Sequence, residues 1–245
     1  MSRALPDNCR QRQKILDTHG GHGRYYVGEI TGGLFVPKGD AKSLVFGNTN
    51  LYAAQTFFTT DVGRRIRIAW NNSHIPDSCF NSSMSTPCDI FLNESEGLTL
   101  YAKPVEEFNS IVDSKTVAKS AVLKDGESIS LDTCGKSQDI TIKAYFTSNS
   151  KLNFSLFGLA FSLDSSNDSI NFKDFSIPLF IKDGMAELRI ITETCSAEIF
   201  VGGGKGLTAV KHIADYNLNS AELNAEGEVK LEEFKIRNLK SIWNK

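Results

Sequence analysis

The sequence predicts an all-β protein, and three observations carry the prediction. Apolar runs are short and are cut repeatedly by Asn, Ser, Asp and Gly. Phe is the commonest aromatic at 16 residues and Gly reaches 19, a composition that favours strands and turns over long helices. Residues 64–70 alternate strictly, with Ile66, Ile68 and Trp70 on one side and Arg65, Arg67 and Ala69 on the other, the period-2 pattern of a half-buried strand. With 245 residues and a 40% hydrophobic fraction the chain can fill one large domain or two ordinary ones.

In chain order, residues 1–13 are charged, with Pro6-Asp7-Asn8 as a turn signal, and a short strand begins at residues 14–16. His19-Gly20-Gly21-His22-Gly23 reads as a loop whose glycines permit positive φ. Residues 24–30 form a strand, Thr31-Gly32-Gly33 a tight turn, and 34–36 the answering strand, stopped by Pro37. A second hairpin spans 50–70, with aromatic and β-branched residues before the turn Asp61-Val62-Gly63. A polar crossing over 71–81 leads to strands at 89–92 and 98–102, which flank the turn 94–97.

From Ser110 the texture changes. Strands such as 128–131, 138–146, 153–160, 169–172, 186–191, 197–200 and 230–236 recur about every ten residues, each ended by Gly, Asn, Asp or Ser, which suggests a β-sandwich. The run Gly202-Gly203-Gly204-Lys205-Gly206 lacks the spacing of a phosphate-binding loop and reads as a connection between strands.

Composition excludes several function classes. A formal net charge of −2 with mixed signs argues against a nucleic-acid partner or an anionic membrane surface. No apolar run approaches the roughly 20 residues of a membrane span, and residues 1–13 have no apolar core of a signal peptide. Cys9, Cys79, Cys88, Cys134 and Cys195 are odd in number and form no CxxC pair, so the expectation is buried free thiols. His19, His22, His74 and His212 are too scattered to predict a metal site, and no cofactor motif is present. Asp7, Glu29, Asp61, Glu106 and Glu107 each have an ordinary structural explanation, so none is assigned a catalytic role. Sequons at Asn71, Asn81, Asn93, Asn153 and Asn167 would matter only in a eukaryotic secretory pathway.

Several collinear motifs resemble one enzyme family. Tyr52-Ala53-Ala54-Gln55-Thr56-Phe57, then Gly63-Arg64-Arg65-Ile66 and Trp70, are similar almost residue for residue to a stretch of the β-fructosidases, the invertase, levanase and inulinase family (glycoside hydrolase family 32). Tyr25, Gly28, Ile30, Gly32 or Gly33, and Phe35 fall into register with the preceding hairpin of that family, and Met84, Pro87, Cys88, Leu98, Pro104, Val105 and Glu107 with the following one. Cys88 is on this reading a residue that opens a strand, and Asp89 stands where the family has Glu. Leu188-Arg189-Ile190-Ile191, then 195–204 and the closing 239–243, resemble the family's C-terminal region, with Glu193 where Asp is common.

The resemblance implies that residues 1–110 are the last one to two blades of a five-bladed β-propeller and 111–245 a C-terminal β-sandwich. It implies a fructose-containing saccharide as ligand, with Trp70 as the pocket aromatic and Tyr52 by the family's Asp-x-Tyr pocket segment, where Asn50 replaces the usual Asp. Retaining glycosidases need two carboxyl groups about 5 Å apart. In this family they come from Asn-Asp-Pro-(Asn/Asp)-Gly and Glu-Cys-Pro, with Arg-Asp-Pro between, and none of the three occurs here. Leu5-Pro6-Asp7 resembles the segment just after Glu-Cys-Pro. The expectation is the C-terminal part of a retaining β-fructosidase acting on sucrose, levan or inulin, inactive alone and completed by an upstream chain. The alternative is a non-catalytic fructan-binding or interaction module.

Overall fold

Strands form along the β-branched and aromatic runs, and the computed structural model gathers them into four open sheets with antiparallel pairing throughout. It describes residues 15–17, 23–47, 50–58, 63–73, 75–76, 79, 81–133, 135–147 and 149–241. The 1–13 leader with Asp7 and Cys9, His19 and His22, Asp61-Val62, His74, Cys134 and the closing 242–245 lie outside the described residues.

The first sheet runs Ile15–Asp17, Arg24–Thr31, Leu34–Pro37, with Lys42–Ser43 also on Arg24–Thr31. The second runs Leu51–Phe58, Arg65–Asn71, Cys88–Asn93, Thr99–Pro104, with Ser83–Met84 added to Arg65–Asn71. Both expected hairpins are present, and the turn after Cys88–Asn93 is capped by Asn93, whose Oδ1 accepts from the Ser95 N–H at 3.1 Å.

The third sheet has seven strands, in the order Val112–Leu123, Val229–Leu239, Gln138–Phe146, Met185–Thr192, Ser196–Val201, Gly206–Lys211, with Ile181–Lys182 beside the fourth. The fourth has six: Ser128–Asp132, Ser220–Glu226, Lys151–Leu156, Leu159–Asp164, Ser169–Asn171, Ser176–Pro178. These two sheets share the larger core, in which Ile140, Ile142, Leu188, Ile199 and Phe234 of one meet Leu152, Phe154, Leu163 and Leu223 of the other. The opposite face of the seven-stranded sheet contributes Ile191, Phe200, Leu207 and Ala209 to a second core with Tyr25, Val27, Leu51, Ala69, Cys88 and Leu100. Covered on both faces, Ser196–Val201 is buried at every position, which is why its sequence does not alternate.

The expected single strand at 153–160 is instead two. Phe157 (φ 53°) and Gly158 (φ 83°) form the two-residue turn of a hairpin, both in the left-handed region that such a turn requires. Tertiary packing holds the bulky Phe157 there: it is buried, its ring meets Tyr216 edge-on at 5.2 Å, and its N–H donates to the Leu218 carbonyl at 3.0 Å.

The 64–70 alternation is present with the opposite sense from a simple hydrophobic reading. Arg67, Ala69 and Asn71 are 4%, 0% and 1% exposed, whereas Ile66 and Ile68 are half-buried and Trp70 is exposed. The cause is the surface this strand meets. The seven-stranded sheet presents Ser196 and Glu198, and the Asn71 amide donates to Ser196 Oγ at 3.1 Å.

The glycine run 202–204 forms one 3-10 turn between Ser196–Val201 and Gly206–Lys211. A Cβ on Gly204 would lie 2.3 Å from the Ala102 carbonyl oxygen, so a glycine is needed for Thr99–Pro104 to approach the seven-stranded sheet.

Candidate functional site

The hairpin Leu51–Phe58/Arg65–Asn71 makes Tyr52 and Trp70 direct cross-strand partners. Their rings meet edge-to-face, with centroids 6.3 Å apart and an interplanar angle of 75°. Both stay accessible, Tyr52 at 51% and Trp70 at 38%. Next to them the pairing slips between Tyr52 and Gln55, and Ala53 takes a positive φ of 46°. Such a bulge re-aims the side chains beside it. On the other flank Met84 pairs with Trp70 across the short strand Ser83–Met84 and is 64% exposed.

Asn50 lies immediately before the strand. It is half-buried, and its carbonyl accepts from the Asn72 N–H at 3.0 Å, which ties the start of one strand to the end of the other. The three residues predicted for saccharide contact thus sit at one end of the hairpin. Met84 joins them through a two-residue strand whose polar, irregular flanks gave no strand signal.

Four carboxylates of this half of the chain, Glu29, Asp89, Glu96 and Glu107, are engaged elsewhere. Asp89 pairs with Ile66, four residues from Trp70 and so about 13 Å along the strand. It accepts from Arg64 at 2.7 and 2.6 Å, and Arg64 also reaches Glu107 at 2.7 Å, holding that carboxyl down to about 2. Glu29 pairs with Lys38. Glu96 accepts from Lys182 at 3.0 Å, the Tyr101 hydroxyl at 2.9 Å and Lys205 at 3.1 Å, which together hold it down to about 2.

Cys88 opens its strand as expected. It is buried, its thiol donates to the Thr86 carbonyl at 3.2 Å, and burial pushes the thiol up, away from reactive thiolate. Cys195 is buried as well, 3.7 Å from Ser73 Oγ. Cys79 departs from the expectation of buried thiols: it is exposed, in the polar crossing between strands. Among the described residues no three His, Cys, Asp or Glu side chains converge as for a metal ion.

No known family model matches the chain, and no curated protein sequence matches it. Solved structures do. The exo-inulinase of Aspergillus awamori superposes with a TM-score of 0.77, 20% identical over 90% of this chain and 50% of that chain. The fructofuranosidase of Schwanniomyces occidentalis complexed with fructose gives 0.70 and 18%, over 89% of this chain and 53% of that chain. A glycoside hydrolase of family 32 from Bifidobacterium adolescentis gives 0.67 and 20%, over 90% of this chain and 37% of that chain. The chain has the fold of part of a family 32 enzyme. It spans about half the length of the first structures it matches. Within the family 32 fold the exposed Tyr52, Trp70 and Met84 form an accessible aromatic and thioether cluster, which is suited to the C–H face of a neutral, hydroxylated ligand.

Proposed function

We propose that this chain is the C-terminal part of a retaining β-fructosidase, handling β-D-fructofuranosyl units of sucrose, levan or inulin. In this reading the first two sheets are the last blades of a five-bladed propeller, within residues 1–110. The six- and seven-stranded sheets are then the C-terminal sandwich, within 111–245. The observation that carries the reading is the pair Tyr52–Trp70, cross-strand partners left open on a fold shared with proteins solved in complex with fructose and fructosyl-erythritol. The indole face supplies apolar area for the sugar ring, and Asn50 supplies polar groups at the strand start. Neither carboxylate motif of the family occurs in the sequence, so the bond-breaking groups come from a second polypeptide segment.

Binding is the part of this function that the chain carries by itself. Levan in a native gel is expected to retard the protein, and Trp70→Ala to weaken the apparent affinity about ten-fold, since losing one stacking face costs on the order of 1.4 kcal/mol. Equal retardation of wild type and Trp70→Ala would remove the aromatic pair from the proposal. Levan binding by a chain that no second segment can make hydrolytic would favour a non-catalytic fructan-binding module.

A further inference from the structure

The outward face of the six-stranded sheet carries a row of side chains that the Tyr52–Trp70 site does not use. Cross-strand register lines up Ser128, Asn224, Asn153, Ser162, Asn171 and Ser176, one residue from each of the six strands. Their neighbours along the strands, among them Ile129, Leu223, Phe154 and Leu163, belong to the larger core, so alternation turns the row outward. Every position in it is Asn or Ser. Five steps between strands, at about 4.8 Å each, give it a length of about 24 Å. Asn224, Asn153 and Ser162 stand inside their strands, where such side chains compete with the backbone ladder for hydrogen bonds and are poor choices. Unfavourable choices aligned in space, on strands far apart in sequence, are what a site leaves behind.

The three amides are each held at one end. Asn153 Nδ2 donates to Glu226 Oε1 at 2.9 Å, Asn224 Nδ2 donates to Ser128 Oγ at 3.1 Å and to the Gly126 carbonyl at 3.3 Å, and Asn171 Oδ1 accepts from Ser169 Oγ at 3.2 Å. No described residue bonds to Asn153 Oδ1, Asn224 Oδ1, Asn171 Nδ2 or the Ser162 hydroxyl. The row thus offers oriented acceptors and donors with no charge, which matches sugar hydroxyls, each of them both donor and acceptor. A polyanion fits poorly, because Glu222 and Glu226 stand in the rows on either side, and the one lysine there, Lys151, is paired with Asp164 at 3.3 Å. We infer that this row is a platform for a neutral polysaccharide chain laid across the strands. It stands on the six-stranded sheet alone, independent of the Tyr52–Trp70 pair and of the hydrolase reading.

Affinity electrophoresis of the full chain, in gels containing levan, inulin, dextran or xylan, compares wild type with Asn153→Thr/Asn224→Thr and separately with Ser162→Arg. The first variant removes two amides but suits strands better, so its melting temperature is expected to equal or exceed that of wild type. The second lays a long side chain across the row at an outward position. At least one polysaccharide is expected to retard wild type, and either variant to weaken that apparent affinity about ten-fold, the effect of losing two net hydrogen bonds. A purely structural role would not lower affinity while leaving melting unchanged. Trp70→Ala separates the two sites, since retardation that survives it and is lost when a row variant is added belongs to the row. Retardation by none of the four polysaccharides would overturn the inference, as would retardation of either row variant equal to that of wild type. Retardation abolished by Trp70→Ala alone would assign all binding to the aromatic pair and overturn it too. Concentration-dependent self-association that the row variants abolish would give the face to a second copy of the chain instead.

Discussion

Replacing Asp139 by Ala is expected to lower the free energy of unfolding by about 3–5 kcal/mol, the usual consequence of removing one partner from a buried ion cluster. Asp139 is completely buried in the seven-stranded sheet. Its two oxygens accept from Arg189 Nε and Nη2, each at 2.9 Å, and Arg237 Nη2 makes a third contact. Cross-strand pairing sets Arg237, Asp139, Ile191 and Glu198 in one row, on the face turned toward the first two sheets. The arginines in turn touch the connection between the halves of the chain. Arg237 donates to Asn109 Oδ1 at 2.9 Å, and the Arg189 guanidinium lies 5.7 Å from the centre of the Phe108 ring. Without the carboxylate, two like charges face each other with little water to screen them. Urea unfolding of the variant measures the loss, and a decrease under 1 kcal/mol would show that the arginines find other partners.

Glu198→Gln is expected to flatten the dependence of stability on pH between about 4.5 and 7, by an amount on the order of 3 kcal/mol. The Glu198 carboxyl sits between the second and third sheets, where Oε1 accepts from the Thr86 N–H at 2.7 Å and from Thr86 Oγ1 at 3.1 Å. Burial pushes it up to about 7, against the pull of those hydrogen bonds and of Arg67. The folded protein therefore keeps this proton in a range where the unfolded chain has released it. Stability falls as pH rises from the unfolded value near 4.5 and levels off above 7. Glu193, raised by burial, adds to the same trend. His212, whose burial disfavours the cation, opposes it below about 6.5. The carboxyls of Glu96 and Glu107, both held near 2 by lysine or arginine, withdraw their stabilisation only as the pH falls below 4.5. The wild-type profile should peak near pH 4.5. Glu198→Gln, which keeps the shape and the Thr86 contacts, isolates the one group, and an unchanged profile would mean that Glu198 is ionised in the fold at neutral pH.

Much of this architecture is legible in the sequence, because the strands that alternate or carry β-branched runs announce themselves. Tyr25, Ile30 and Phe35 with their glycines mark the first hairpin, and 138–146 matches its strand at both ends. Tyr52 and Trp70 are singled out in the sequence only through the family resemblance, and their cross-strand partnership becomes visible only in the structure. What could not be read depended on neighbours remote in the chain. Val112–Leu123 is an edge strand of Thr, Lys, Ser and Ala, held by pairing with Val229–Leu239 rather than by its own apolar pattern. Phe157 occupies a position that Asn usually takes, and only contacts with Tyr216 and Leu218 make that conformation tolerable. The burial of Arg67 and Asn71 in place of Ile66 and Ile68 is invisible until the polar face of the seven-stranded sheet is seen opposite them.

On the proposed function, the chain supplies a fructose-handling scaffold without the two acids that cleave the bond. Fructose release from sucrose and from levan tests it most directly, measured for this chain alone and again with the upstream product added. No release above buffer is expected from the chain alone, and release is expected from the pair. Hydrolysis by the chain alone would contradict the proposal, because two of its own carboxyl groups would then have to act as nucleophile and acid.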